Sequence, residues 1–250
     1  MSRLEFMNTE VDNITFDDAV EHCCELALGS QLGRYVVTPN VDHIVQLERD
    51  QELREVYRDA DLILTDGKPL IWISQLYGRP IKEKISGSDL FPSLCLEASK
   101  RGLTLFFFGA APGVAQKAAD NLAAKFPGLR IVGTMSPDYG FERVPEKVDE
   151  AIDRINEVEP DVLIVGLGCP KQEKFIYQYR NRIHAKLMLG LGASLDFEAG
   201  NVTRAPKWMQ RCGLEWLYRI TQDPARLAKR YLVDDVKIVP LIFKYRKAGR

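Results

Sequence analysis

The stretch that most constrains the fold of this chain is residues 161–173, where an apolar run precedes two glycines and a proline. Residues 161–165 form a short apolar, β-branched run, which is typical of a buried parallel strand. Gly166 and Gly168 permit a tight loop, and Pro170 suits the first turn of a helix because its missing N–H costs nothing there. The segment predicts a strand, a glycine loop and a helix N-terminus whose free N–H groups suit an anion. On its own, such a loop is more often an ordinary strand-to-helix connection.

Strand and helix patterns alternate along the chain as far as residue 191. Core strands are predicted at residues 33–37, 61–65, 103–108, 130–133, 161–165 and 186–191, and residues 11–16 are compatible with another strand. Helices are predicted at residues 16–28, 41–53, 70–77, 90–101 and 145–158 and, after the two glycine loops, up to residues 126 and 184. This alternation predicts a Rossmann-like α/β fold, an open parallel sheet with helices on both faces.

The pattern changes after residue 200. Residues 204–220 and 225–236 are predicted to be helices with no strand between them. We therefore divide the chain into an α/β domain, residues 1–203, and a helical C-terminal appendage, residues 204–250. Residues 201–250 hold 12 lysines and arginines against 4 acidic residues, although the net charge of the whole chain is −1. A basic tail on an acidic body suggests a negatively charged partner.

The cysteines and the apolar runs indicate the compartment. The chain has five cysteines, an odd number without the spacing of a metal motif, which indicates reduced thiols. The N-terminus lacks the long apolar region of a signal peptide. No run approaches the ~20 apolar residues that are needed to cross a bilayer. These features predict a cytoplasmic protein.

Polar and glycine positions follow several predicted strands, and ligands of open parallel sheets bind at the carboxyl ends of the strands. Asp66 is the foremost candidate, because it is the carboxylate that directly follows a core strand and precedes a glycine. The alternative is that Asp66 is only a helix cap or a turn residue. The other candidate positions are Thr38, Asn40 and residues 109–113, 136–139, 166–172 and 190–196.

The sequence contains no recognisable metal motif. None of His22, His43 and His184 has a histidine four residues away, so each is interpreted as a surface or packing residue. No cysteine is expected to pair with a histidine, and Cys169 is interpreted as a small packing residue rather than a helix-terminal thiolate. There is no Asp-x-Asp pair at a strand end. We therefore expect a bound diphosphate to be neutralised by backbone amides and basic side chains, with no metal and no other cofactor.

Two classes of function stay open on the residues alone. A nicotinamide-dependent oxidoreductase would use a similar sheet, but the third glycine position of its motif falls here on Lys171. A non-enzymatic module that binds a membrane surface or a nucleic acid would depend on the basic tail. Stabilisation of the protein by nicotinamide cofactors would support the oxidoreductase, and no such stabilisation is expected of the binding module.

Several short motifs occur in order along the chain. They are Thr38-Pro39-Asn40, Asp66-Gly67, Gly87-x-Asp89, Gly168-x-Pro170-x-Gln172-Glu173, Asp196-Phe197-x-Ala199-Gly200, and Arg204-Ala205-Pro206-x-Trp208-Met209 with residues 213–219. As a set, from about residue 33 to residue 230, they closely resemble the WecG/TagA/CpsF family of bacterial glycosyltransferases. The chain departs from many members at Lys68-Pro69-Leu70, where they carry a small residue, and Lys84 is its basic residue before the Gly-x-Asp motif.

The resemblance implies an inverting glycosyltransferase, and the lack of a metal motif predicts that it is metal-independent. Such an enzyme moves a sugar from a UDP-sugar to an undecaprenyl-diphosphate-linked acceptor, in the synthesis of teichoic acid linkage units, capsule, common antigen or exopolysaccharide. N-acetylmannosamine, its uronic acid and glucose all fit as the sugar. The implied partners are the UDP-sugar, the polyprenyl-diphosphate-linked saccharide and an anionic membrane surface bound through residues 204–250, with no nucleic acid. The implied location is peripheral, on the inner face of the bacterial cytoplasmic membrane, and a homo-oligomer stays open.

The resemblance also assigns roles to residues. Asp66 matches the catalytic aspartate, and one carboxylate suffices to take the acceptor hydroxyl proton in a direct displacement. The growing charge on the leaving UDP can be held by helix N-termini and arginines. The other residues expected to act in catalysis are Thr38, Asn40, Arg219 and Arg226. The residues expected to bind substrate are Gly67, Gly109, Gly166, Gly168, Pro170, Gln172, Asp196, Arg204 and Arg230.

Overall fold

The computed structural model describes residues 3–248, except for the side chains of Arg226, Lys247 and Ala248. Its main strands are β3 (Arg34–Val37), β4 (Leu62–Ile63), β5 (Thr104–Gly109), β6 (Arg130–Met135), β7 (Val162–Gly166) and β8 (Leu187–Gly190). They form one parallel sheet in the order β4-β3-β8-β7-β5-β6. A separate antiparallel hairpin consists of β1 (Arg3–Phe6) and β2 (Thr9–Asp12). The predicted Rossmann-like α/β fold is confirmed.

Helices flank the sheet. Those of the α/β part are α1 (Phe16–Leu28), α2 (Val41–Leu47), α3 (Gln51–Arg58), α4 (Lys68–Leu76), α5 (Gly87–Arg101), α6 (Val114–Lys125), α7 (Pro145–Asn156), α8 (Lys171–Tyr179) and α9 (Gly192–Glu198). The appendage contains α10 (Lys207–Arg211), α11 (Glu215–Gln222), α12 (Pro224–Lys229) and α13 (Ile238–Ala248). The first helix begins where predicted because Thr15 and Asp18 form a reciprocal capping box.

Successive residues of the central strands belong to two different apolar layers, since side chains alternate between the faces of a strand. One layer contains Phe106, Phe108, Leu163, Val165 and Met188. The opposite layer contains Leu105, Phe107, Val162, Ile164, Leu187 and Leu189. Both faces of the sheet are therefore buried, which explains why β5 and β7 have continuous apolar sequences.

The pairing register aligns the carboxyl ends of four strands along one edge of the sheet. Val36 of β3 pairs with Leu189 of β8, and Gly190 pairs with Val165 of β7. Gly166 then pairs with Gly109 of β5, so closely that a Cβ atom on Gly109 would lie 2.5 Å from the Gly166 carbonyl oxygen. This edge is where the sequence predicted ligand binding.

Several predicted boundaries are wrong. The single helix expected over residues 41–53 is two helices, because Asp50 accepts a 3.0 Å hydrogen bond from the Leu53 N–H and so starts α3. The helix expected to reach residue 184 ends at Tyr179, and the strand expected over residues 61–65 is shortened to Leu62–Ile63. Of residues 11–16, the first two end β2, the next three form the turn and Phe16 begins α1.

The appendage is more broken than its sequence pattern predicted. Instead of long helices over residues 204–220 and 225–236, it consists of short helices, with a π turn at Arg230–Asp234 and a 3₁₀ turn at Asp235–Lys237. Gly213 interrupts the helix that was predicted over residues 204–220, because its φ of +71° is a left-handed conformation that favours glycine. Within residues 3–248, no helix combines the length and apolarity that crossing a bilayer requires.

The appendage packs against the α/β part near the carboxyl edge of the sheet. The Tyr77 hydroxyl donates a 2.9 Å hydrogen bond to the Ile242 carbonyl oxygen. Glu48 accepts from the hydroxyl of Tyr245 at 2.8 Å and pairs with Lys244. These contacts hold α13 against the C-terminal ends of α2 and α4. The appendage also reaches the carboxyl edge of the sheet, where Arg230 contacts Asn40 and Asp42.

Candidate active site

Asp66 lies where two clefts meet. A polar cleft of about 490 Å³ runs along the strand ends and includes Thr38, Gly166, Gly168, Gln172 and Asp196. A second cleft of about 380 Å³ lies toward the appendage and is lined largely by apolar side chains, including Pro69, Trp216, Tyr231, Val236, Ile238 and Val239. The residues that line both clefts are Asn40, Asp66, Ser88, Phe197, Arg219 and Arg230.

The environment of Asp66 suits a proton acceptor. Withdrawal from water raises the pKa of its carboxyl group to about 6, against the lowering effect of the Lys84 and Arg219 charges. A base with a pKa near the working pH is both ionised and able to hold a proton. The Asp66 N–H donates a 2.8 Å hydrogen bond to the Pro39 carbonyl oxygen, which joins the ends of β3 and β4.

Gln172 holds the glycine loop in place from within the protein. Its side-chain oxygen accepts hydrogen bonds from the N–H groups of Gly168 and Gly192, both at 3.2 Å. Its amide nitrogen donates to Glu173 Oε1 at 2.8 Å, and the residue is only 6% exposed. A Cβ atom on Gly192 would lie 2.8 Å from the Gln172 oxygen. Gln172 therefore shapes the wall of the polar cleft by tying the loop after β7 to the loop after β8.

Asn40 is held by neighbours on two sides. Its side-chain oxygen caps α2, and Nδ1 of His43 lies 2.9 Å from it. Arg230 of the appendage donates to the same oxygen at 3.4 Å and pairs with Asp42 at 3.1 Å. Since Asn40 Oδ1 is occupied in this way, the Asn40 amide nitrogen is the group left to donate toward a ligand.

The expectation that no cysteine pairs with a histidine is wrong, because the side chains of His43 and Cys169 are hydrogen-bonded. His43 is 4% exposed, and its Nε2 lies 3.3 Å from Oε1 of Glu173, which is 2% exposed. Burial by itself lowers the pKa of His43, but Cys169 and Glu173 outweigh this effect and leave the pKa raised. Burial raises the pKa of the Cys169 thiol, although His43 opposes that rise.

This cluster was missed because its members are distant in sequence. His43 follows β3, whereas Cys169 and Glu173 follow β7, and only β8 lies between those strands. A search for histidines at helical spacing tests one segment at a time and cannot find such a group. Both segments were already candidates as strand ends, and that was the available signal.

The appendage arginines differ in position. Arg219 lines both clefts, with its guanidinium carbon 5.6 Å from the centre of the Phe197 ring. Arg204 pairs with Asp89 at 2.5 Å and with Glu215 at 3.6 Å, so it joins the appendage to α5. The side chain of Arg226, also expected in catalysis, lies outside the described part of the chain.

Most of the expected site residues converge on the two clefts, but three do not. Gly67 lines the apolar cleft, with φ of +101° at the start of α4. The exceptions are Gly109, Pro170 and Arg204, which are not among the described residues that line either cleft. Pro170 is the N-cap residue of α8, one position before the first turn in which it was predicted. These three residues therefore contribute to the framework of the site.

The sequence of the chain matches the glycosyl transferase WecG/TagA/CpsF family over residues 4–250. The chain belongs to this family. The expected resemblance and the expected glycosyltransferase class of enzyme are thereby confirmed.

Individual relatives of the chain have a more specific name. An N-acetylglucosaminyldiphosphoundecaprenol N-acetyl-beta-D-mannosaminyltransferase of Bacillus spizizenii is 33% identical over 249 residues, which cover 100% of this chain and 92% of the relative. A protein of the same name from Bacillus subtilis is 33% identical over 199 residues, or 80% of this chain and 75% of the relative. One from Staphylococcus aureus is 26% identical over 251 residues, or 100% and 94%.

Proposed function

We propose that this WecG/TagA/CpsF family member transfers N-acetylmannosamine from a UDP-sugar to a polyprenyl-diphosphate-linked N-acetylglucosamine, with inversion at the sugar carbon. The observation that carries the proposal is the position of Asp66, a carboxylate with a pKa raised to about 6, between a polar and an apolar cleft. The names of three relatives support this acceptor and this sugar.

The polar cleft suits the nucleotide diphosphate of the donor. It is lined by glycines of the loops after β7 and β8, where backbone groups can approach a ligand closely. Arg219 and Arg230 add positive charge at the junction with the apolar cleft. Guanidinium groups match phosphate oxygens in geometry as well as in charge.

The apolar cleft suits the lipid-linked acceptor. Val236 and Val239 line it and are 53% and 48% exposed, so its wall reaches the surface of the protein. The same part of the chain exposes Leu232, Val233 and Phe243, and the appendage has an excess of positive charge. An apolar surface among lysines and arginines is typical of a protein that lies on an anionic membrane. We infer a peripheral position on the inner face of the cytoplasmic membrane.

The mechanism is a single displacement. The Asp66 carboxylate takes the proton of the acceptor hydroxyl, and the hydroxyl oxygen forms a bond to the anomeric carbon of the sugar. The bond from that carbon to the UDP oxygen breaks, and its electron pair leaves with the diphosphate. Arg219 and Arg230 stabilise the charge that develops there. Because attack and departure occur on opposite faces, the configuration inverts.

Donor screening tests the proposal. The full chain is incubated with a short-chain lipid diphosphate carrying N-acetylglucosamine and with UDP-N-acetylmannosamine, its uronic acid or UDP-glucose, and UDP release and the anomeric configuration of the product are measured. We expect fastest transfer from UDP-N-acetylmannosamine, with inversion. Lys68 and Lys84 line the same cleft as Asp66, and their positive charges can pair with the carboxylate of a uronic acid. The uronic acid is therefore the most informative competitor. Retention of configuration, or no transfer from any of the three donors, would contradict the proposal.

Treatment with EDTA tests the role given to the arginines. Because arginines neutralise the leaving group in this mechanism, we expect chelation to leave the rate of transfer unchanged. Loss of activity that magnesium or manganese restores would refute this part of the proposal.

A further inference from the structure

We propose that His43, Cys169 and Glu173 bind one divalent metal ion of the zinc class at the base of the polar cleft, separately from glycosyl transfer. One ligand atom from each of these side chains lies within 4.8 Å of the other two. His43 stands on α2, and Cys169 and Glu173 stand on either side of the start of α8. The three donors are therefore brought together by the fold.

The donor types select the class of metal. Imidazole nitrogen, thiolate sulfur and carboxylate oxygen together suit zinc, whereas magnesium and calcium prefer oxygen ligands only. Three protein ligands leave one position of a tetrahedral ion for water or another small ligand. When the ion binds, the Cys169 thiol loses its proton to solvent as the metal–sulfur bond forms.

An unpaired atom also favours an ion here. Oε2 of Glu173 is buried and has no hydrogen-bond partner among the residues that the structure describes, and Glu173 as a whole is only 2% exposed. A buried carboxylate oxygen without a partner is costly, and an ion is one of the few groups that can satisfy it.

The surrounding residues already orient two of the ligands. Nδ1 of His43 lies 2.9 Å from Asn40 Oδ1, which leaves Nε2 facing Glu173. The Gln172 amide donates to Glu173 Oε1 at 2.8 Å. Histidines and carboxylates that bind metals are commonly held by such outer hydrogen bonds, which set their tautomer and direction.

The site can be reached from solvent. His43 and Cys169 both line the polar cleft, and Cys169 is partly exposed. A bound ion would join the segment after β3 to the loop after β7, which are two sides of the cleft. An ion that binds the folded chain but not the unfolded chain would raise the thermal stability of the protein.

Cobalt titration tests the proposal, since Co²⁺ replaces zinc and reports its ligands by absorption. The full-length, EDTA-treated and dialysed chain is titrated with Co²⁺, and zinc is then added. We expect one equivalent to bind with a thiolate-to-cobalt charge-transfer band and the visible bands of a four-coordinate site. Zinc should abolish these bands and raise the Tm.

Matched variants identify the ligands. Cys169→Ser should remove the charge-transfer band and the zinc-dependent rise in Tm, and Glu173→Gln should weaken Co²⁺ binding at least tenfold. Cys212→Ser is the control, because Cys212 is the exposed cysteine of the appendage, and it should bind like the wild type. A wild-type chain without the band, a band that survives Cys169→Ser, or a band lost in Cys212→Ser would overturn the proposal. Circular dichroism of each variant checks that it is folded.

Discussion

The backbone N–H of Asp66 donates a 2.8 Å hydrogen bond to the carbonyl oxygen of Pro39. Pro39 lies between Thr38 and Asn40, so this bond connects the candidate base to the loop that carries two other candidate residues. The relative position of the three side chains therefore depends on pairing between β3 and β4.

Asp66→Asn is expected to reduce turnover by roughly 10²–10⁴-fold, because an amide cannot take the acceptor proton. The substitution preserves size, so the fold and UDP affinity should be close to those of the wild type. Asp138→Asn is the matched control, since Asp138 is an exposed residue paired with Lys147. Turnover by UDP release and affinity by calorimetry are the measurements. A variant with nearly normal turnover would remove Asp66 from the role of base.

The rate should depend on pH through Asp66, whose pKa is raised from 3.8 to about 6. We expect kcat/KM to rise as the pH increases toward about 6 and then to level off, because only the carboxylate form accepts a proton. A profile that stays flat through this range would contradict the assignment.

The same pKa shift predicts an effect on stability with a definite sign. Between pH values of about 4 and 6, the folded state binds more protons at Asp66 than the unfolded state does, so the free energy of unfolding falls as the pH rises. Asp66→Asn should remove this contribution and stabilise the protein at neutral pH by about 1–2 kcal/mol. Denaturant unfolding at several pH values measures it, and a variant less stable than the wild type at neutral pH would count against it.

Gln172→Ala is expected to weaken UDP binding, on the order of tenfold, and to lower stability by about 1–3 kcal/mol. Its hydrogen bonds to the N–H groups of Gly168 and Gly192 would be lost, so the loop after β7 would no longer be held. Gln178→Ala is the control, because Gln178 is an exposed residue of the same helix. Calorimetry measures the affinity of each variant for UDP. Equal affinities would move the nucleotide away from this loop.

Arg219→Ala is expected to abolish most transfer and to leave binding to anionic vesicles nearly unchanged. One charge near a bilayer contributes only about 1 kcal/mol to membrane binding, whereas an arginine beside a leaving diphosphate can contribute more to the rate. Arg211→Ala, an exposed arginine of α10, is the control for the loss of one charge. Transfer to a water-soluble acceptor analogue and vesicle sedimentation are measured together. Normal transfer by the Arg219 variant would remove Arg219 from the role of stabilising the leaving diphosphate.

Phe243→Glu is expected to weaken vesicle binding severalfold, because Phe243 is a 60% exposed aromatic residue in the basic appendage. Transfer to the water-soluble analogue should be unaffected. Leu28→Glu places the same charge on an exposed position of α1, 52% exposed, and should not change vesicle binding. If the two variants bind vesicles equally well, α13 does not contact the membrane.

Much of the fold follows from local patterns in the sequence. The apolar runs of β5 and β7 predict buried parallel strands because both faces of the sheet are covered. Asp66 could be chosen as a candidate because a parallel sheet places its ligands at strand ends, so position along the chain also indicates position in space. The family motifs added the expected chemistry, from the same short segments.

What the sequence by itself determined, then, was the parallel sheet, its glycine loops and the candidate base, because each depends on neighbours within a few residues. Tertiary structure decided the rest. It divided the helix predicted over residues 41–53 at the Asp50 cap, brought His43 to Cys169 and Glu173, and placed Arg219 and Arg230 over the strand ends. These features depend on strand order and on the docking of the appendage, which arise from contacts between distant segments and leave no periodic pattern in either one.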